Sequence, residues 1–194
     1  VGFIGGPCTG KTTLAEKVMQ ALQAQQYNAA WSKEFVTDDI PVNGIPDLDY
    51  AIYEQFRFCY HQHRIEENAR EQADIVITDC PLLIGYIYAL EKATMSLKGR
   101  QNQLIRDFEK LIEQDKHRYH HLYLLTREGA YEDNAVRFHS LEESIAMDKL
   151  IKSTLDKHNI SYSVLSGDAD SRTSAVMDDI VKITYVDEAR TTLR

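Results

Sequence analysis

Gly5-Gly6-Pro7-Cys8-Thr9-Gly10-Lys11-Thr12 is the stretch on which the reading of this chain turns. It fits G-x-x-x-x-G-K-[ST] at every fixed position, the phosphate-binding-loop (Walker A) pattern. In a chain of 194 residues and average composition, chance would supply such a match with odds on the order of one in a hundred. Its context strengthens it. The short apolar run Val1–Ile4 precedes the loop, and Leu14, Val18 and Leu22 follow at helical spacing from Lys11 to about Gln26. Strand, glycine loop and helix in that order let backbone N–H groups converge on a phosphate at the positive end of the helix. The cradle is expected to comprise Gly5, Gly6, Pro7, Cys8, Thr9, Gly10, Lys11 and Thr12, with Thr13 beside it. Lys11 is expected at the β- and γ-phosphates, and the Thr12 hydroxyl on Mg²⁺. A glycine-rich turn with no ligand is the plainer alternative.

Outward from the loop, strands and helices alternate. Ala29–Phe35 reads as a second strand, and Thr37–Asp47, with Pro41, Gly44 and Pro46, as a loop. Asp49 is placed to cap a helix running to about Gln72. Ile75–Thr78 reads as a strand buried on both faces. Pro81–Met95 is predicted helical, Ser96–Arg100 a turn, and Gln101–Lys116 a helix with Leu104, Ile105, Phe108, Leu111 and Ile112 on one face. His121–Leu125 forms the next strand, and the polar stretch Thr126–His139 leads to a helix over Leu141–His158. Tyr162–Leu165 is the last strand and Thr173–Val186 the closing helix. This order predicts an α/β domain, a mainly parallel sheet between helices, with residues 1–194 as a single domain.

Composition narrows the classes. The chain is 43% hydrophobic and 27% charged, with nine Gly and four Pro, which fits a packed globular core and excludes collagenous or disordered chains. A net charge of −8 argues against sequence-independent adhesion to DNA or anionic membrane. Cys8, Cys59 and Cys80 have no metal-ligand spacing and read as free thiols in a reducing, cytoplasmic compartment. No apolar run approaches the roughly 18 residues of a membrane span, and no signal peptide is visible. The chain opens on Val1 inside a strand, so residues are expected upstream.

Phosphoryl transfer needs a metal carboxylate, cations at the moving phosphate and a positioned nucleophile. Asp79 follows the buried strand Ile75–Thr78 and should face Lys11 and Thr12, because ligand groups in open α/β sheets gather at strand carboxyl ends. The alternative for Asp79 is a cap for the helix after Pro81. Glu34, in Trp31-Ser32-Lys33-Glu34-Phe35, is the candidate general base for an acceptor hydroxyl, with Asp38 and Asp39 as rivals. Arg127 and Arg137 lie in the polar stretch expected to act as a lid, about residues 126–140. The aromatics Tyr50, Tyr53, Phe56, Phe58 and Tyr60 could stack on a flat acceptor or simply pack the core, as could Trp31. Arg57 and Arg64 share a helix face, where surface ion pairing is the default.

Together the Walker sequence, the Lys33-Glu34-Phe35 strand end, Ile75-Val76-Ile77-Thr78-Asp79 and Arg127…Arg137 resemble the nucleoside/nucleotide-kinase branch of P-loop proteins. The likeness is nearest to ribosylnicotinamide-kinase-like AAA-type ATPases, phage members included, and spans nearly the whole chain. It implies a P-loop NTPase three-layer sandwich, with a five-stranded parallel sheet in the order 2-3-1-4-5 and helices on both faces. It implies ATP and Mg²⁺, a lid, and passage of Ser166-Gly167-Asp168 near the adenine, which brings in Gly167 and Asp168. Arg137 follows Val136 where these kinases often carry a Gly-Arg pair. The expected activity is transfer of the γ-phosphate of ATP to a hydroxyl of a nucleoside, nucleotide or nucleoside-like molecule. The alternatives are a kinase acting on nucleic acid, at a 5′ hydroxyl or a hydroxymethylated base, and a nucleotide-dependent switch ATPase. A small-molecule acceptor is the expected partner, with no membrane and a homodimer left open.

Overall fold

The computed structural model describes residues 1–44, 51–95, 101–128 and 140–192. Five strands form one parallel sheet: β1 (Gly2–Ile4), β2 (Ala29–Ser32), β3 (Ile75–Thr78), β4 (Leu122–Leu125) and β5 (Ser163–Leu165), in the order β2-β3-β1-β4-β5. The described helices are α1 (Lys11–Ala24), α2 (Phe35–Asn43), α3 (Ala51–Gln72), α4 (Leu82–Met95), α5 (Gln101–Asp115), α6 (Leu141–Lys157) and α7 (Ala169–Thr192). This is the α/β three-layer sandwich of the P-loop NTPases.

Side-chain alternation divides the core between the two sheet faces. On one face Phe3, Tyr123 and Leu125 meet Leu14, Val18 and Leu22 of α1 and Val176 and Ile180 of α7. On the other, Ile4, Leu122 and Leu124 meet Leu83 and Ile87 of α4, Phe108 and Ile112 of α5, and Met147, Ile151 and Leu155 of α6. Register sets the site. Gly2 lies opposite both Thr78 and Leu122, and Ser32 lies opposite Thr78. The chain therefore leaves β2, β3, β1 and β4 along one edge, and delivers Glu34, Asp79, the glycine loop and Arg127 to it.

Several boundaries differ from expectation, the closing helix running on to Thr192 where Val186 was expected. The second strand ends at Ser32, not Phe35, and the expected Thr37–Asp47 loop is helical through Asn43 despite Pro41. Tertiary bonds override the proline here. The Phe35 N–H donates to Gln62 Oε1 (2.9 Å), and Asp39 accepts a two-pronged ion pair from Arg57 of α3 (2.7 and 2.6 Å). Gly44, at φ +81°, closes the helix through its N–H to Ile40 O. The last helix starts at Ala169, four residues earlier than expected, because Asp168 caps it by accepting the Ser171 N–H (2.8 Å). Asp49, Tyr50, the Ser96–Arg100 turn and residues 129–139, including Arg137 and most of the expected lid, lie outside the described residues.

Candidate functional site

The loop after β1 closes on itself. Gly10, at φ +86°, turns the chain into α1, and exposed Cys8 also takes a left-handed conformation (φ 65°), costly for a residue with a Cβ. The Thr9 hydroxyl donates to Gly6 O (3.0 Å), and a Cβ on Gly5 would lie 2.8 Å from the Thr9 Oγ1. Lys11 Nζ donates to Gly5 O and Gly6 O (3.0 and 2.9 Å), folded over the loop mouth. The start of α1 carries no side-chain cap and no acidic residue in its first turn. By contrast α6 starts with a full capping box between Ser140 and Glu143. The unpaired first-turn amides of α1 beside a lysine suit an anion.

Asp79 is brought to this corner. It is 3% exposed, and its Oδ1 is buried with no hydrogen-bond partner among the described residues. Burial pushes its carboxyl above the ordinary range; the Thr12 hydroxyl works against that shift and the charge of Glu34 adds to it. Thr12, Asp79 and Glu34 therefore share one site. The capping alternative for Asp79 fails, because the first amide of α4, Leu82 N–H, is shared between Glu66 Oε1 (3.1 Å) and the Tyr119 hydroxyl (2.7 Å). Trp31, the single tryptophan of the chain, packs on the α1 side of the sheet, and its indole acts on the Asp79 carboxylate too. Its Nε1 is likewise buried, with no hydrogen bond formed among the described residues. An orphaned carboxylate oxygen beside a threonine hydroxyl fits a hard, oxygen-seeking cation such as Mg²⁺.

Glu34 stands at the cap position of α2, half-buried, and its Oε2 accepts the Thr37 hydroxyl (2.8 Å). Its charge acts on Asp79, on the buried Cys80 thiol and on Tyr88, raising all three pKa values. The two rivals separate cleanly. Asp39 is locked to Arg57 and Asn43, which hold its carboxyl below the usual range, while Asp38 is exposed on α2. Asp39 is thus withdrawn as a base, and Arg57 is the ion-pairing residue its position suggested. The aromatic stripe divides: Phe56 stacks on Phe108 in the core (4.3 Å) and Phe58 is buried, whereas Tyr53 and Tyr60 are exposed.

On the other side of the loop, Arg127 Nε donates to Asp148 Oδ2 (2.9 Å), and Asp148 Oδ1 accepts the Gly6 N–H (2.9 Å). Arg172 of α7 is 6% exposed and donates to Thr9 O (2.9 Å) and Thr126 O (2.8 Å), joining the loop to the end of β4. Gly167 N–H is taken by Glu128 Oε2 (2.7 Å), and Asp168 is engaged as the α7 cap. Sequence reasoning missed Asp148 and Arg172. Asp148 has no local signal in the middle of α6. Arg172 did have one: a cation in the first turn of a helix opposes the macrodipole and needs a partner elsewhere.

A parallel 2-3-1-4-5 sheet whose first strand opens through this loop into an uncapped helix defines a P-loop nucleoside-triphosphate-binding protein. Such proteins are ATPases in the broad sense, hydrolysing a nucleoside triphosphate or transferring its phosphoryl group. A family model described as an AAA domain matches residues 1–172, and the chain belongs to that AAA-domain family. Among curated proteins none matches it. Among the described residues no helix is long and apolar enough to cross a membrane.

Proposed function

We propose that the chain is an ATP- and Mg²⁺-dependent phosphotransferase that moves the γ-phosphate of ATP to a hydroxyl of a nucleoside, nucleotide or nucleoside-like acceptor. One observation carries this reading: Ser32 pairs with Thr78, so a second carboxylate, Glu34, follows the end of the strand beside the one that Asp79 follows, and its charge acts on Asp79. A phosphate loop with one metal carboxylate is compatible with hydrolysis or transfer. A second carboxylate beside it gives an incoming hydroxyl somewhere to leave its proton.

In this reading Lys11 leaves Gly5 O and Gly6 O for the β- and γ-phosphate oxygens, whose charge outweighs two carbonyl dipoles. Thr12 and Asp79 hold Mg²⁺, which when bound offsets phosphate charge. Glu34 accepts the acceptor's hydroxyl proton as the new O–P bond forms and the bond to the ADP oxygen breaks. Arg127, and Arg137 from the stretch beyond it, meet the charge spreading over the phosphoryl oxygens. Gly167 and Asp168 border the base. The space between the ends of β1 and β2, beside Glu34, takes the acceptor.

The test is an ADP-formation screen of the purified protein against nucleosides, nucleotides, nicotinamide riboside and oligonucleotides. Turnover that requires a nucleoside-type acceptor and falls in Glu34→Gln supports the proposal. Acceptor-independent hydrolysis, unchanged by Glu34→Gln, would replace it with a switch ATPase. Turnover on oligonucleotides alone would move the acceptor to nucleic acid.

A further inference from the structure

We propose that Asp148 is a positioning residue: from α6 it clamps the Gly6 amide of the phosphate loop with one carboxylate oxygen and aims Arg127 at the triphosphate with the other. The inference rests on the phosphotransferase reading. Three observations converge on it.

The first is the division of labour within the carboxylate. Oδ1 accepts Gly6 N–H and Oδ2 accepts Arg127 Nε, both at 2.9 Å, so one carboxylate of α6 holds both the loop and the end of β4. The second is which part of Arg127 it holds. Asp148 grips the guanidinium through Nε, and Nη2 reaches Ser144 O at 3.4 Å. Nη1 takes part in neither of these contacts, so a phosphate oxygen can be met there while the Asp148 contact persists. With its side chain only 16% exposed, Arg127 is fixed in this pose, not a solvated surface cation. The third is the residue at position 6, which the loop motif leaves free. A Cβ there would collide with Asp148 Oδ1 and lie 3.1 Å from Ser144 O, so α6 approaches the loop as closely as it does because Gly6 has no side chain.

The chemistry gives the contact a purpose beyond packing. A bare carboxylate at the mouth of a phosphate loop would repel the triphosphate. Paired with Arg127 and bonded to an amide, its charge is offset locally, and the arginine is oriented before substrate arrives. Holding a cation in its productive pose removes the ordering cost from the reacting complex. Asp148 and Glu34 both act electrostatically on Tyr88.

A double-mutant cycle on the intact chain tests this, with ADP formation as the rate readout and the fluorescence of Trp31 as the binding readout. Arg127→Ala and Asp148→Asn are each expected to lower turnover by up to about 10²-fold, the scale of a misplaced catalytic group, with ATP affinity changed much less. The double variant should be no slower than Arg127→Ala alone, because Asp148 acts through that arginine. Asp148→Glu, which keeps the charge but overreaches, should recover less than full rate. Wild-type turnover in Asp148→Asn, or losses that multiply in the double variant, would overturn the proposal while leaving the phosphotransferase intact. A wild-type protein that forms no ADP with any acceptor would overturn both.

Discussion

Arg172→Met offers a quantitative test of how the loop is held. The guanidinium is buried and donates to two backbone carbonyls, Thr9 O at 2.9 Å and Thr126 O at 2.8 Å. Methionine keeps much of the stem but supplies no donor, leaving both carbonyls short of a partner. A hydrogen bond to a charged group contributes about 1.5–3 kcal/mol, so two would suggest roughly 3–6. Two terms reduce that sum. Arg172 Nε is itself buried without a partner, and desolvating a guanidinium is costly even when it is well bonded. The expected net loss is about 2–4 kcal/mol. For a chain of this size each kcal/mol moves the midpoint by about 2–4 °C, so a fall of about 5–15 °C is expected. Urea unfolding followed by far-ultraviolet circular dichroism measures the first quantity and a thermal scan the second. Arg172→Lys should recover only part of the loss, since an ammonium is a point donor and cannot reproduce the fork. Because Thr9 belongs to the phosphate loop, Arg172→Met should also weaken the ATP response of Trp31 at temperatures where the protein is folded. A loss below about 1 kcal/mol with unchanged ATP affinity would refute the view that Arg172 braces the loop.

Lys11→Ala removes a side chain whose contacts are two loop carbonyls, so stability should change little, while turnover falls by about 10²–10³-fold; wild-type turnover would defeat the assignment. Asp79→Asn should abolish the Mg²⁺ dependence of nucleotide binding yet raise the midpoint of the metal-free protein at neutral pH. The sign follows from its raised pKa: protonation favours the folded state, and that stability is lost as pH rises through the folded value, so removing the charge helps. For the same reason Mg²⁺-dependent binding should fade, as pH drops, at a pH above the ordinary Asp value of about 4, and Glu34→Gln should bring that pH down. Titration of Trp31 fluorescence reads both; a midpoint at the ordinary value, unmoved by Glu34→Gln, would separate the two carboxylates. Arg57→Ala strands the buried Asp39 carboxylate and should cost on the order of 1–3 kcal/mol. Asp39 is held below its usual pKa by Arg57, so its stabilising effect is present above the unfolded value and lost as pH falls through the folded one. The variant should therefore differ most from wild type near neutrality and least in acid, measured by urea midpoints at several pH values.

Sequence alone determined the parts governed by local chemistry. The glycine loop with Lys11 and Thr12 identified the phosphate site, since left-handed turns and converging amides demand those residue types in that order. Apolar periodicity located the five strands, and Asp79 was legible because it directly follows a strand buried on both sides. The strand order came from a family resemblance, not from periodicity. What needed the tertiary structure was every choice between chemically equal residues. Glu34, Asp38 and Asp39 are indistinguishable along the chain; only the docking of α2 on α3 gives Asp39 to Arg57 and leaves the charge of Glu34 to act on Asp79. Pro41 argued for a loop, and long-range bonds outweighed it. Asp79 could have been a helix cap until the Leu82 amide went to Glu66, sixteen residues before Leu82, and to Tyr119. Asp148 and Arg172 lie 142 and 163 residues from their loop partners; the helix-start position of Arg172 signals that it needs a partner, but no local pattern says which one. Local backbone preference is written residue by residue, whereas the partner of a charge is decided by which elements the fold packs together.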